Sequence, residues 1–328
     1  MTSSSSSQSG RNRDGYFYSD IGEAQSLFSG RNLFDPTLAP TRIVFHLFLF
    51  LLTFITTTIS GALFPLLLQD TDLVSMLFSL ATDRAPITNG LLFSFTLLTI
   101  LGTHELGHYI ACRYYGVTAT LPYFIPVPPP LGIGTLGAFI RIKAPIETRK
   151  ALFDIGIAGP LAGFVFALPA ALVGIYYSKP LTDSMPVTFN SPLLFVLLSK
   201  LLDRPSAMEW NPVWFACWVG MLATALNLLP VGQLDGGHVV YALFGRRGHK
   251  FVAMTITLIQ AVIGYLGYTL YHWSGGFIYA AMLLLMFLLK HPPVMDEHAP
   301  IGLGRKILGF IAFIVFILSF MPIPIKID

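Results

Sequence analysis

Seven apolar runs, most near the roughly 20 residues that an α-helix needs to cross a bilayer, limit what this chain can fold into. They read as spans at Ile43–Leu68, Leu91–Ala111, Ala151–Tyr177, Val213–Leu229, Phe251–Tyr271, Phe277–Leu289 and Ile307–Phe320. The last two are short. Ser191–Leu202 is shorter still and reads as lying at an interface. Only 11% of the residues are charged and 54% are hydrophobic, with a mean hydropathy of +0.68. A soluble domain carries about 25% charged residues, so the fold class is an all-α polytopic membrane protein with about seven transmembrane helices. No internal repeat is visible, and residues 43–328 read as one membrane-embedded domain. Residues 1–42 are polar and Ser-rich, which predicts a disordered tail. The absence of an apolar stretch before Ile43 argues against a cleaved secretory signal. The two cysteines, Cys112 and Cys217, imply no disulfide framework, and a net charge of +3 calls for no nucleic-acid partner.

Orientation follows from the basic residues. An N-terminus on the cytoplasmic side puts fifteen of the 20 Lys and Arg inside, including Arg42, Arg113, Arg141, Lys143, Arg149, Lys150, Arg246, Arg247 and Lys250. Cytoplasmic excess of this kind sets topology. Seven spans then leave the C-terminus outside.

Within the second run, "ILGTHELGHYIACRYYG" (Ile100–Gly116) holds three ionisable residues in five. Each costs roughly 2.5–3.5 kcal/mol at the centre of a membrane helix, so the pattern demands compensation. His104 and His108 are four apart and share one helix face. Two imidazoles one turn apart can chelate Zn²⁺, and Glu105 beside them can act as base toward metal-activated water. Zinc needs a third protein ligand. The best candidate is Asp235 in "ALNLLPVGQLDGGHVVYALFG", at the end of the fourth run. His104 lies about 20 Å into the second span from its outer end at 1.5 Å per residue. Pro230, Gly232, Gly236 and Gly237 make a continuous helix to Asp235 unlike this sequence, and unwinding there brings Asp235 level with the histidines. Both sites then fall in the cytoplasmic half of the bilayer.

Other residues compete. His238 would face the same way as Asp235 only in a helix, which the glycines argue against; a neighbouring or interfacial role suits it better. Cys112 continues the histidine series by one turn, but as a metal ligand it would leave Asp235 without a use, so it reads as a buried structural thiol. His46 and His272 have no visible partner and receive no role.

"HELGH" together with Asn227-x-x-Pro230-x-x-x-Leu234-Asp235-Gly236 resembles the site-2 protease family of intramembrane zinc metalloproteases. The resemblance runs from about Leu91 to Gly248, the catalytic core. This stretch resembles a bacterial branch related to chloroplast members, in which "ACRYYGV", "GTLGAFIRI" and "DIGIAGPLAG" have close counterparts. The resemblance implies Zn²⁺ held by His104, His108 and Asp235, Glu105 as general base, and Asn227 holding the substrate or its oxyanion. It also implies transmembrane protein substrates cut within the lipid bilayer. Family members place a re-entrant hairpin after the motif, and here "LPYFIPVPPPLGIGTLGAFIRIKAP" (Leu121–Pro145) is too proline-rich for a helix, with "TLGAFIRI" reading as a strand. Its edge is suited to pair with an extended substrate. Gly156, Gly159 and Gly163 form a small-residue face for close helix packing. No loop is long enough for the roughly 90-residue PDZ insert of some members, so neither that insert nor a nucleotide-sensing domain is expected.

Two other readings use the same motif. A membrane zinc or metal transporter would employ the His/Asp cluster for passage, but passage needs several weak sites in series, and one cluster is visible. A prenyl-protein peptidase would supply a downstream glutamate as ligand, yet Glu147, Glu209 and Glu297 all lie in loop contexts.

Overall fold

Helices dominate, because a backbone in hydrocarbon must satisfy its own hydrogen bonds. The computed structural model describes residues 40–67, 73–129, 131–143, 145–181, 187–205, 208–289, 294, 296 and 299–327. The polar tail expected to be disordered lies, up to residue 39, outside the described residues. Ile43–Asp328 makes up one unit.

The described helices are α1 (Pro40–Leu67), α2 (Leu73–Thr82), α3 (Ala85–Tyr114), α4 (Arg149–Tyr177), α5 (Leu193–Leu201), α6 (Pro212–Asn227), α7 (Asp235–Tyr271), α8 (Gly275–Leu288) and α9 (Leu303–Ser319). Four of them, α1, α3, α4 and α7, are long and apolar enough to cross a membrane by length and composition. Each of the seven expected runs forms a helix or part of one. The fifth run occupies the second half of α7, beyond a break at Gly245 with φ 71° and ψ −177°. Helix α2 had no counterpart among the expected runs.

α4 is the centre of the bundle, against which α3, α6 and α7 pack. Thr148 caps it by accepting a hydrogen bond from the Ala151 N–H at 3.1 Å. Pro160 and Pro169 sit inside it, as neighbouring helices permit in such bundles. Small residues let the backbones approach: a Cβ at Gly107 of α3 would stand 2.5 Å from the Ala158 carbonyl of α4. Toward the other end, Leu97, Ile100, Ala171, Ile175, Phe195, Cys217 and Met221 fill one core. Large apolar side chains such as Phe95, Ile110, Val165 and Phe251 point outward, as a lipid-facing surface requires.

Strands β1 (Tyr123–Pro126) and β2 (Thr135–Phe139) form the expected antiparallel hairpin, with Tyr123 opposite Phe139 and Phe124 opposite Ala138. The hairpin leans on α1. The Thr56 hydroxyl donates to the Gly134 carbonyl at 2.7 Å, and Phe50 packs edge-on to Phe124. His46, given no partner from sequence, has one: its Nδ1 lies 3.1 Å from the Pro122 carbonyl oxygen and its ring packs on Tyr123. A second antiparallel pair joins β3 (Val187–Phe189) to β4 (Ile325–Ile327).

Candidate metal centre

The helical phase of α3 turns His104, Glu105, His108 and Cys112 inward, while Leu106 and Ile110 face out. All three motif side chains are buried. Opposite them, α6 ends at Asn227, a turn runs through Leu228–Leu234, and α7 begins at Asp235. The break expected near Pro230 and Gly232 is therefore present, and Gly232 takes a left-handed φ of 57°.

Gly236 and Gly237, expected to prolong the break, instead lie within the first turn of α7. The reason is space. A Cβ at Gly237 would stand 2.5 Å from the Gly232 carbonyl oxygen, and one at Gly236 would run into the Leu228 carbonyl. These glycines let the new helix fold back against its own preceding turn. His238 is helical as a result, with its Cβ against Gly156 of α4.

Three ligand atoms converge. Asp235 Oδ2 lies 3.2 Å from His104 Nε2 and 3.2 Å from His108 Nε2, and the two imidazole nitrogens are 3.1 Å apart. A tetrahedral zinc with bonds of about 2.0–2.1 Å separates its ligand atoms by about 3.3–3.4 Å. The triangle therefore has the size that a single zinc ion requires. Its chemistry fits as well. The Nδ1–H of His108 donates to the Ile155 carbonyl at 2.7 Å, which leaves Nε2 as a lone pair facing a carboxylate oxygen. Two acceptors that face each other so closely call for a cation between them. Among the described residues, His104, His108 and Asp235 are the group of His, Cys, Asp or Glu side chains arranged to hold a metal. His238 and Cys112 are not in it; Cys112 is fully buried among Tyr109, Ala151 and Ile155.

The Glu105 carboxylate stands beside the Ile140 backbone, just beyond β2. The Arg141 carbonyl accepts from the Thr120 N–H at 3.0 Å across the hairpin. The Asn227 amide reaches within 3.3 Å of His104 Nε2.

α4 sets these groups in position. A Cβ at Gly159 would run into the His108 ring, and one at Gly163 would stand 3.2 Å from His104 Cβ. The small-residue face therefore seats the imidazoles directly. Arg149 donates from Nε at 2.9 Å and Nη2 at 2.5 Å to the Ala242 carbonyl, which caps the α7 segment that Asp235 begins. Sequence reading missed the Ile155 carbonyl, the Ile140 backbone and Arg149. The two backbone groups carry no side-chain signature, and Arg149 counted only as a topology charge.

Residues 92–270 match peptidase family M50. "Probable zinc metalloprotease EGY2, chloroplastic" of Oryza sativa subsp. indica is 28% identical over 279 residues, covering 81% of this chain and 49% of that protein. "Probable zinc metalloprotease EGY1, chloroplastic" of Arabidopsis thaliana is 30% identical over 241 residues, covering 70% and 42%. "Probable zinc metallopeptidase EGY3, chloroplastic" of the same plant is 28% identical over 250 residues, covering 69% and 41%. The chain spans about half the length, or less, of these curated relatives. No solved structure matches it. The family match covers more than half of the sequence and includes both motifs, and the chain belongs to peptidase family M50.

Proposed function

We propose that this chain is a zinc-dependent intramembrane endopeptidase acting on transmembrane proteins. The observation that carries the reading is the triangle of His104, His108 and Asp235 with Glu105 and Asn227 beside it. The relatives' names, which include zinc and protease, support the same chemistry. His104 Nε2, His108 Nε2 and Asp235 Oδ2 would hold the ion. Zinc bound there supplies Lewis acidity toward water and a peptide carbonyl.

The Glu105 carboxylate takes a proton from the attacking water and passes it to the leaving amine nitrogen. Asn227, at the end of α6, donates its amide to the oxygen that gains charge in the transition state. Substrate must arrive unwound, because a helix shields its own carbonyls. β2 has no strand on its outer edge among the described residues. A segment pairing there by β-augmentation lies alongside Glu105. The distribution of basic residues supports an N-terminus and a site on the cytoplasmic side.

Elemental analysis of the purified chain tests the metal half of the reading. One zinc per chain is expected, falling to background in His104→Ala, His108→Ala and Asp235→Ala. Full zinc in Asp235→Ala would move the third ligand elsewhere. A chain that carries zinc across vesicle membranes without cutting any single-span reporter would support the transporter reading instead.

A further inference from the structure

Resting on that reading of the metal centre, we propose that Asp154, Arg305 and Tyr115 form a positioning latch that sets the His108 ring, outside the ligand set itself. Asp154 lies in the first two turns of α4, immediately before Ile155, whose carbonyl takes the Nδ1–H of His108 at 2.7 Å. Its carboxylate accepts a forked pair from Arg305, Nε to Oδ1 at 2.9 Å and Nη2 to Oδ2 at 2.7 Å. The Tyr115 hydroxyl also donates to Asp154 Oδ2, and Arg305 Nη2 donates to that hydroxyl at 3.1 Å.

The three residues come from three elements. Tyr115 is the C-cap of α3, the helix that carries His104 and His108. Arg305 lies in the first turn of α9. α9 packs on α4, and a Cβ at Gly309 of α9 would stand 3.5 Å from the Phe153 ring of α4. His108 is thus fixed from two directions. Its helix is tied to Asp154 seven residues downstream, and its ring is tied to the backbone of the next residue, Ile155.

The chemistry suits a device that holds an angle. A forked guanidinium–carboxylate pair fixes both distance and plane, which a lysine cannot do. Asp154 and Arg305 are each about one-quarter exposed, at 26% and 27%, so solvent screens the pair only in part. Burial and the bond to Asp154 push the Tyr115 phenol above its ordinary value, so it remains a donor at neutral pH. Orientation of a ligating histidine through its second nitrogen commonly accounts for 10–100-fold in metal affinity. A latch one residue behind the acceptor controls part of that range.

The test uses the full chain in detergent. Zinc affinity is measured by competition with a chromophoric chelator, the visible spectrum is taken with Co²⁺ in place of zinc, and melting of the metal-free protein is followed in parallel. Asp154→Asn and Arg305→Ala should weaken zinc about tenfold and alter the Co²⁺ bands. Arg305→Lys should recover part of the loss, and Tyr115→Phe should cost only a few-fold. The two milder variants keep the test decisive where Arg305→Ala does not fold. Unchanged affinity and spectra with a lowered melting temperature would overturn the latch, since a merely structural tie moves only the melting. If wild type takes up neither metal, the metal centre itself fails and the latch with it. If wild type binds zinc and His108→Ala does not, a wild-type affinity in the latch variants sinks the latch alone.

Discussion

Single atoms decide whether Gly159 can be anything else. A Cβ there falls on the His108 ring, whereas one at Gly163 only crowds the side of His104 at 3.2 Å. Alanine is the better helix former by about 1 kcal/mol, so neither change should unravel α4. Gly159→Ala should nevertheless weaken zinc binding by at least about tenfold, as losing an orienting partner does. Gly163→Ala should weaken it much less. Chelator competition on both variants checks the order; equal affinities would mean that the imidazoles are seated by something other than this face. At this scale the three side chains that converge were legible in the sequence. His104 and His108 announce themselves by spacing, and Asp235 by the company of Asn227 and Leu234. Ile155 was not legible, because a carbonyl that any residue could supply leaves no trace in side-chain identity. Gly236 and Gly237 misled for a related reason: a glycine written for close backbone approach reads the same as one written to break a helix.

The hairpin shows how one element is held by another. Gly134 adopts a φ of 86° against Thr56 and Thr57 of α1, where a Cβ would stand 2.5 Å from the backbone. Only glycine tolerates both the angle and the approach. Thr56→Val removes the bond to the Gly134 carbonyl, which costs about 0.5–1.5 kcal/mol, and Gly134→Ala should unseat the hairpin more severely. Both should retain zinc, because no ligand lies on the hairpin, yet lower the cleavage rate. Hydrogen exchange at Tyr123–Phe139 should rise in the same order. Loss of zinc in either variant would show that the hairpin supports the metal centre itself. The strand at "TLGAF" was readable from its pattern and its proline-rich flank. Its seat on α1 was not readable, since Thr56 also bonds to its own helix, at the Leu52 carbonyl, as threonines in apolar helices commonly do.

For the whole molecule, the apolar runs gave the helices and the basic residues predict an orientation, while the packing around α4 was signalled only in part, by the small-residue face of Gly156, Gly159 and Gly163. Helices α3, α6 and α7 all meet α4 because small residues there admit their backbones, and that complementarity exists only in three dimensions. Orientation has its own check. A tag in the segment Arg246–Lys250 should be protected from protease in sealed cells, and a tag beside Lys179 should be exposed. Reversal of both would put the metal centre in the other half of the bilayer.

Peptide hydrolysis through Glu105 is the centre of this account, and one comparison reaches it directly. Glu105→Gln is nearly isosteric and leaves His104, His108 and Asp235 untouched, so the variant should load zinc as wild type does. An amide cannot take the proton from the attacking water. With a single-span membrane reporter that wild type cuts, in detergent and at equal zinc occupancy, cleavage should fall by about 10²–10⁴-fold, while the reporter still binds. Equal rates for the two proteins would contradict the mechanism.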